Sequence, residues 1–245
     1  MIEKITDFGS LSGVSSPLLP LIFVNGFYSQ NDFNGSFLQK SENGDLQAAF
    51  SLKNTCVTLI LMSSEGIEEL QNFFSFCGVT EILSDKPITK FSENQKELSL
   101  LEFFGVFDDE KNCQILTPKS AISEYQDVYN LVSEKGNYFD NWFPEFSKKI
   151  NSFIAFATYF KINSNTVSVA ISPAVYDNIA IIAGVYTLNA YRNKGYAGRC
   201  VKALINELKR NNISKIYLWC EEANVDFYNK LKFENIGKIY FGECN

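Results

Sequence analysis

An amphipathic helix between two apolar strands is the feature of this sequence that most limits the folds open to it. Apolar residues fall at positions 197, 200, 201, 204, 205 and 208, which is the spacing of one buried stripe along a helix. Strand-like apolar segments lie before the helix, at 179–187, and after it, at 215–220. A stripe of this kind must be buried against another layer, so the pattern predicts an α/β fold (mixed α+β) around a central sheet.

The rest of the second half continues this mixed pattern. Phe139, Trp142, Phe143 and Phe146 recur at helical spacing, and Pro144 among them should bend that helix or mark a late start. Four aromatic residues line an acceptor groove or, as is usual at this spacing, belong to the core: Tyr138, Phe139, Trp142 and Phe143. We predict helices at 120–135, 138–150 and 225–231, strands at 153–162, 167–171 and 237–241, and a turn at 163–165.

The first half echoes the second on a smaller scale. An apolar strand at 57–61, an amphipathic helix at 66–77 and a strand at 78–84 repeat the strand, helix, strand order, although no glycine-rich basic loop joins the first strand to the helix. We therefore predict two domains, 1–110 and 111–245, divided near the charged stretch 108–112, with the first domain a degenerate copy of the second.

Composition excludes several kinds of chemistry. The chain has no histidine, which removes Ser-His and Cys-His nucleophile pairs and histidine metal sites. The six cysteines are scattered without a CxxC pair, so neither a metal site nor a disulfide framework is predicted. Proton transfer must then use Glu, Asp, Tyr, Lys, Cys or water.

Charge and hydropathy limit the partners and the compartment. A net charge of −6 and a pI near 4.9 are unsuited to tracking phosphates, so nucleic acid is not an expected partner. The start of the chain lacks the basic segment and apolar core of a signal peptide, and no apolar run reaches membrane-spanning length. We expect a cytoplasmic protein without a membrane partner. The sequence does not decide between a monomer and a homodimer.

The loop at 192–198 joins the apolar strand to the striped helix and predicts an anion site. Gly195 and Gly198 permit backbone angles and close approaches that side chains would forbid. The free N–H groups at a helix start form a concave anion site, and Arg192, Lys194 and Arg199 add positive charge. A pyrophosphate fits this arrangement, although basic residues beside a helix can also be a solvated face. The terminal GK[ST] of a Walker loop is absent.

The same loop resembles the acetyl-CoA motif of the GNAT family of N-acetyltransferases. That motif has Arg or Gln, two residues, Gly, one residue, then Gly or Ala, and Arg192, Gly195 and Ala197 satisfy it. Downstream, the run 223–233 resembles the family's Asn-to-Tyr helix and the turn after it. The family usually has Gly before the final Phe, and this chain has Lys232. The resemblance covers roughly 115–241 and is strongest from 179 to 233.

The resemblance implies a GNAT fold, in tandem if the first half is a copy, and acetyl-CoA as the cofactor. The backbone at Val185 and Thr187 would hold the pantetheine and the thioester carbonyl, and the N–H groups from 193 to 198 would hold the pyrophosphate. The implied cofactor-binding residues are Val185, Tyr186, Thr187, Arg192, Asn193, Lys194, Gly195, Tyr196, Ala197, Gly198, Asn224 and Tyr228.

Catalytic roles are also implied by the resemblance. Tyr228 matches the family's general acid, which protonates the leaving thiolate, and the alternative is a half-buried core tyrosine. Asn224 contacts the pantetheine or caps the helix. The base is open among Glu222, its neighbour Glu221, Asp177 and a water chain. Glu221 and Glu222 can equally be an exposed pair at a helix start.

Three functions remain open at this stage. The first is an N-acetyltransferase acting on a primary amine of a small molecule, a peptide or a protein. The second is an acyl-CoA-binding regulatory module without turnover. The third, suggested by the duplication, is aminoacyl transfer from tRNA, which the low basic charge argues against.

Overall fold

The computed structural model describes residues 1–27, 34–110, 112–133 and 139–244. Up to residue 103 the elements are β1 (Ile2–Lys4), α1 (Leu19–Phe27), β2 (Gly35–Lys40), β3 (Leu46–Lys53), β4 (Cys56–Leu61), α2 (Ile67–Phe76), β5 (Glu81–Ser84) and β6 (Gln95–Phe103). They are followed by β7 (Gln114–Ile115), α3 (Ile122–Val132), α4 (Phe139–Asn151), β8 (Phe156–Ile162), β9 (Asn165–Tyr176), β10 (Ile179–Thr187), α5 (Tyr196–Arg210), β11 (Lys215–Cys220), α6 (Val225–Asn229) and β12 (Phe233–Glu243). None of the helices in the described ranges has both the length and the apolar character needed to cross a membrane.

The described residues group into two compact units. Unit 1 comprises Met1–Leu101, Trp219–Val225 and Asn235–Asn245, and unit 2 comprises Glu102–Leu218 and Asp226–Glu234. Strands β11 and β12 therefore each contribute residues to both units.

Unit 1 is built on strands in the order β1-β2-β3-β4-β5-β12-β6. Strands β4 and β5 pair in parallel, and α2 connects them, as parallel neighbours require. The stripe on α2 buries Leu70 and Phe74, and the Phe74 ring meets that of Phe50 edge-on at 5.2 Å between centroids. The strand, helix, strand arrangement predicted for 57–84 is confirmed.

Unit 2 has strands in the order β11-β10-β9-β8-β7, with helices on both faces. Strands β10 and β11 are parallel and are joined through α5, whose predicted stripe is buried. Successive residues of β8 point to opposite faces. Thr158 donates to the Cys200 carbonyl of α5 at 2.8 Å, whereas Tyr159 is buried in the cluster that contains α3 and α4. The mixed α/β fold is confirmed.

Most elements differ from their predicted bounds by a few residues, and β9 and β12 extend furthest beyond theirs, with β12 running from Phe233 to Glu243 rather than over 237–241. Strand β9 continues past Ile171 to Tyr176, through Pro173, because the proline lies where the register with β10 shifts and no ladder N–H is needed. Helix α4 begins at Phe139, before Pro144, so the proline does not mark its start. Tyr138 lies outside the described residues.

The turn before β12 explains how the chain tolerates Lys232 where a glycine is usual in the family. Lys232 has φ of 63°, in the left-handed region that favours glycine. Its Nζ donates to the Val106 carbonyl at 2.5 Å and lies 5.0 Å from the centroid of the Phe107 ring. The lysine therefore carries backbone strain that exposed side-chain contacts offset only in part.

Replacing Lys232 with glycine should raise the free energy of unfolding by about 0.5–1 kcal/mol, because the strain is relieved and the lost contacts are exposed. Urea unfolding of the variant measures this change. Lys230→Gly is the matched control, since Lys230 is exposed and does not have a positive φ, and it should lower stability. If Lys232→Gly loses as much stability as Lys230→Gly, the claim that Lys232 carries backbone strain is wrong.

Candidate functional site

The edge of β10 that faces β11 is paired over only part of its length. Parallel pairing joins Ile179–Ile181 to Lys215–Tyr217 and ends there. From Ile182 to Thr187 the strand pairs only with β9, as far as the described residues show. The other edge of this segment therefore offers backbone groups to an added extended ligand.

A β-bulge lies within the part of β10, from Ile182 to Thr187, that pairs with β9 but not with β11. The register between β10 and β9 shifts between Ala183 and Tyr186, and Gly184 has φ of 61°. An extra residue on one strand is left out of the ladder. Val185, half-buried, is one of the two residues in the shifted stretch. The bulge changes the course of the backbone at Val185, where the sequence predicts a contact with the pantetheine.

Polar contacts hold the carboxyl end of β10 in place. Thr187 is buried, and its Oγ1 lies 2.7 Å from Ser168 Oγ on β9. Ser168 Oγ also donates to the Tyr186 carbonyl at 3.0 Å. The Thr187 carbonyl accepts a hydrogen bond from Arg192 Nε at 3.2 Å. Strand and loop are thus linked directly by the first residue of the basic motif.

The loop turns sharply into α5 through two left-handed residues. Asn193 has φ of 60°, and Gly195, the N-cap of α5, has φ of 82°. The first helical hydrogen bond runs from the Arg199 N–H to the Gly195 carbonyl at 3.1 Å. The N–H groups of Tyr196, Ala197 and Gly198 therefore precede any intrahelical acceptor and point out of the helix start. This is the arrangement that binds anions.

The space in front of this helix start is open. A Cβ built on Gly195 would meet no atom within 4 Å, and the first turn of α5 contains no acidic residue. A Cβ on Gly198, by contrast, would lie 3.5 Å from Leu231 Cδ2, in ordinary contact. The open side of the turn is therefore the side of Gly195.

The equivalent helix start in unit 1 is closed. Gly66, the N-cap of α2, has nearly the same angles as Gly195, with φ of 75° and ψ of 7°. A Cβ there would lie 2.5 Å from Gln39 Nε2 and 2.7 Å from Gln47 Oε1. The first turn of α2 carries Glu68 and Glu69. Glutamine side chains and acidic residues leave no place for a phosphate.

The three basic side chains of the motif have different partners. Lys194 Nζ donates to the Ala190 carbonyl at 3.1 Å, and the Arg192 guanidinium lies 5.7 Å from the Tyr186 ring centroid. Arg199 Nη2 and Nε donate to Glu110 Oε1 at 2.8 and 3.1 Å. Hydrogen bonding to Arg199 holds the pKa of the Glu110 carboxyl below its ordinary value. Arg199 is thus neutralised, and the exposed Arg192 and Lys194 supply the charge at the loop.

Tyr228 lies on the short helix α6 and is half-buried. Its ring meets Phe227 at 4.9 Å and Phe233 at 5.8 Å between centroids, both nearly perpendicular. Packing of this kind fixes the ring plane, which suits both a positioned acid and a packed tyrosine.

The other two predicted site residues after β11, Glu222 and Asn224, are exposed residues of unit 1. Glu222 Oε2 accepts a hydrogen bond from the buried Ser99 hydroxyl of β6 at 3.0 Å. Its neighbour Glu221 forms an ion pair with Lys96, which lowers the pKa of the Glu221 carboxyl. The backbone N–H of Asn224 donates to the Glu221 carbonyl at 2.9 Å. The two carboxylates are therefore held by different partners.

The aromatic residues of α4 pack against one another and against Tyr125 and Tyr129 of α3. Phe139 stacks on Phe143 at 5.2 Å, and Trp142 stacks on Phe146 at 4.4 Å. Phe139, Trp142 and Phe143 are only partly buried and border the core of unit 2. The core interpretation therefore accounts for these contacts.

Two features of the site were not foreseen from the sequence. Gly184 forms the bulge, and an isolated glycine inside a strand pattern is the signal that could have indicated it. Glu110 neutralises Arg199 across 89 positions of sequence, and no local pattern marks such a pair.

Comparisons with known proteins agree with this arrangement. Residues 114–233 match the model of the acetyltransferase (GNAT) family. No curated protein matches the sequence.

Solved structures share the fold at low identity. A GCN5-related N-acetyltransferase from Sphaerobacter thermophilus matches with a TM-score of 0.64 and 8% identity, over 99% of this chain and 95% of that one. A GNAT-family acetyltransferase from Colwellia psychrerythraea matches with a TM-score of 0.55 and 11% identity, over the full length of both chains. A tandem GNAT protein from the clavulanic acid biosynthesis pathway matches with a TM-score of 0.55 and 9% identity, over 86% and 82%.

The family match and the solved structures point to the same fold. The segment from residue 114 to residue 233 belongs to the acetyltransferase (GNAT) family.

Proposed function

We propose that this protein transfers an acetyl group from acetyl-CoA to a primary amine, by direct attack of the amine in a ternary complex. The amine belongs to a small molecule or a peptide. The observation that carries the proposal is the open start of α5 beside the unpaired edge of β10. An anion site next to a free strand edge matches a ligand with a pyrophosphate at one end and an amide-containing arm.

The residues at the loop fit the pyrophosphate. The N–H groups between Asn193 and Gly198 would bind its oxygens, and Arg192 and Lys194 would add charge from the exposed side. The space that a Cβ at Gly195 would enter is empty of protein atoms. Tyr196, stacked on Phe160 at 4.9 Å, fixes the direction of the first turn.

The strand edge fits the pantetheine arm. The bulge at Gly184 and Val185 interrupts the ladder with β9 beside the free edge. Thr187, held by Ser168 and Arg192, would place the last N–H of the strand near the thioester carbonyl. A fixed backbone donor at that position stabilises the negative charge that develops on the carbonyl oxygen.

Acetyl-CoA supplies the acyl group in activated form, as a thioester. The amine nitrogen forms the new C–N bond as the C–S bond breaks. The ammonium gives one proton to the base before the attack, and the second proton, released as the amide forms, restores the acid that protonates the departing thiolate. We propose that the Tyr228 hydroxyl donates the proton that the departing thiolate gains, because the Tyr228 ring is held by Phe227 and Phe233. Asn224 is proposed as a further contact of the pantetheine arm.

Glu222 is the proposed base for the amine proton. Glu221 is engaged by Lys96, whereas the Glu222 carboxylate accepts only a neutral hydroxyl bond from Ser99 among its described hydrogen bonds. Asp177 precedes the first residue of β10, and Thr187 is the last. A strand of that length spans roughly 26–30 Å, so Asp177 lies at the far end from the thioester position.

Gly195→Glu should weaken acetyl-CoA binding by at least about tenfold, since it places a carboxylate in the anion site. Isothermal titration with acetyl-CoA measures the loss. Gly44→Glu is the matched control, because Gly44 also has a positive φ, of 89°, with nothing within 4 Å of a built Cβ. Equal affinities in the two variants would refute the assignment of the loop.

Tyr228→Phe should lower kcat by about 10²-fold and leave the Kd for acetyl-CoA nearly unchanged, since only the proton donor is removed. Thiol release with a panel of amines measures turnover. Tyr240→Phe, at a half-buried tyrosine of unit 1, should retain kcat. Parallel losses in turnover and affinity would make Tyr228 a packing residue. Binding without turnover in the unaltered protein would favour a regulatory acyl-CoA-binding module.

Glu222→Gln should lower kcat by roughly 10²-fold near neutral pH, and the deficit should narrow at alkaline pH, where the amine is already deprotonated. The pH profile of kcat tests this, with Glu221→Gln as the control at the adjacent carboxylate. If Glu221→Gln shows the larger deficit, or if the Glu222→Gln deficit is the same at every pH, Glu222 is not the base.

A further inference from the structure

Unit 1 contains a cavity at the carboxyl ends of its two parallel strands. Pairing between β4 and β5 ends at Leu59 and Ser84, and beyond that point the strands border a cavity of about 460 Å³. Its walls include Val14, Leu46, Leu61, Met62, Asp85 and Lys86. In open α/β sheets, ligands bind at the carboxyl ends of the strands, and this volume lies in the range of small-molecule sites.

A single carboxylate is fixed in the wall of this cavity. Asp85 Oδ1 accepts the Leu61 N–H at 3.2 Å, and Oδ2 accepts the Ser16 hydroxyl at 2.9 Å. Both donors are neutral, and no ion pair to Asp85 is present in the part of the chain that the structure describes. Burial raises the pKa of this carboxyl, and the hydrogen bonds from Ser16 and Leu61 and the charge of Lys86 offset that rise only in part.

The cavity does not suit a second molecule of CoA. The Leu61 N–H lies at the position in β4 where a pantetheine arm would need a free donor, and the Asp85 carboxylate already occupies it. The helix start that would bind phosphate is closed by Gln39, which donates to the Gly66 carbonyl and to Glu69 at 2.8 Å. An anionic ligand would also meet Asp85 itself. A cation is the complementary ligand.

We propose that this cavity binds a small organic ammonium compound with an apolar portion, its ammonium group against Asp85 and its apolar portion against Val14, Leu46 and Met62. The site is separate from the acyl-transfer site proposed in unit 2. Lys86 is exposed at the rim, and its charge is screened by water, so it opposes the ligand only weakly. The ammonium supplies the cationic partner that Asp85 lacks among the described residues.

The two methionines of the chain provide a direct measurement. Met62 lines the cavity, whereas Met1 is exposed and its terminal amine pairs with Glu69. Protein labelled with 13C at the methionine methyl groups is titrated with n-hexylamine in the absence of acetyl-CoA. We expect a saturable shift of the Met62 methyl signal with no comparable shift of Met1. Equal shifts of both signals, or no shift of Met62, would overturn the proposal.

Matched probes and variants test the role of charge. Hexan-1-ol and hexanoate have the same chain without the ammonium, and should bind at least about tenfold more weakly than hexylamine. Asp85→Asn should weaken hexylamine by a similar factor, while Asp45→Asn, at an exposed residue of unit 1, should have no effect. Equal affinity for hexylamine and hexan-1-ol, or full affinity in Asp85→Asn, would refute recognition of the ammonium.

Three further variants complete the test: the first two keep it independent of folding and of the proposed catalysis, and the third tests the charge that is recognised. Val14→Trp fills the cavity and should abolish the Met62 shift even if Asp85→Asn unfolds. Gly195→Glu should leave the shift unchanged, because the loop belongs to unit 2. Loss of the shift in Gly195→Glu would place the amine in the transferase site instead. Lys86→Ala should retain or improve hexylamine binding, and a loss would contradict recognition of a cation beside Lys86.

Discussion

The short parallel pairing between β10 and β11 is the constraint on which the rest of the proposed acyl-transfer site depends. Three residues of each strand are held together, and the connection through α5 forces the loop between them to lie at the carboxyl end of β10. Once pairing stops at Ile181, the edge of β10 has backbone groups but no paired strand beside it among the described residues. The start of α5 follows within a few residues. A free edge and an anion site are therefore produced by one connection, without any catalytic side chain.

The same connection occurs in unit 1 with the opposite result. Strands β4 and β5 also pair in parallel and then separate, and Gly66 begins α2 with angles close to those of Gly195. In unit 1, however, side chains occupy the two corresponding positions. Gln39 lies at the start of α2, and Asp85 accepts the Leu61 N–H at the edge of β4. This supports the proposal that the first half is a degenerate copy. In unit 1, internal hydrogen bonds occupy the groups that remain open at the start of α5 and the edge of β10.

The elements that were predicted well are those whose signal lies in consecutive residues. The bounds of β10 and β11 agree with the sequence pattern, and the stripe on α5 is buried as its spacing requires. The sequence pattern did not predict the second half of β9, because Pro173 lies within it. Whether a strand tolerates a proline depends on its register with the neighbouring strand. The Glu110–Arg199 pair was beyond prediction for the same reason. Local sequence patterns indicate where backbone N–H and C=O groups can bind a ligand. Contacts between residues distant in sequence decide which charged side chains remain unpaired near those groups.

This distinction also explains why the cofactor is easier to infer than the catalytic groups. Backbone N–H groups at a helix start depend on a turn, and a turn is encoded by nearby residues such as Asn193 and Gly195. A base must be placed beside a substrate atom by the whole fold, and in a chain without histidine every candidate is a common surface residue. Glu221 and Glu222 are adjacent and identical in type, yet one is paired with Lys96 and the other with a buried serine. The two glutamates differ in their hydrogen-bond partners, and those partners lie more than a hundred residues away in sequence.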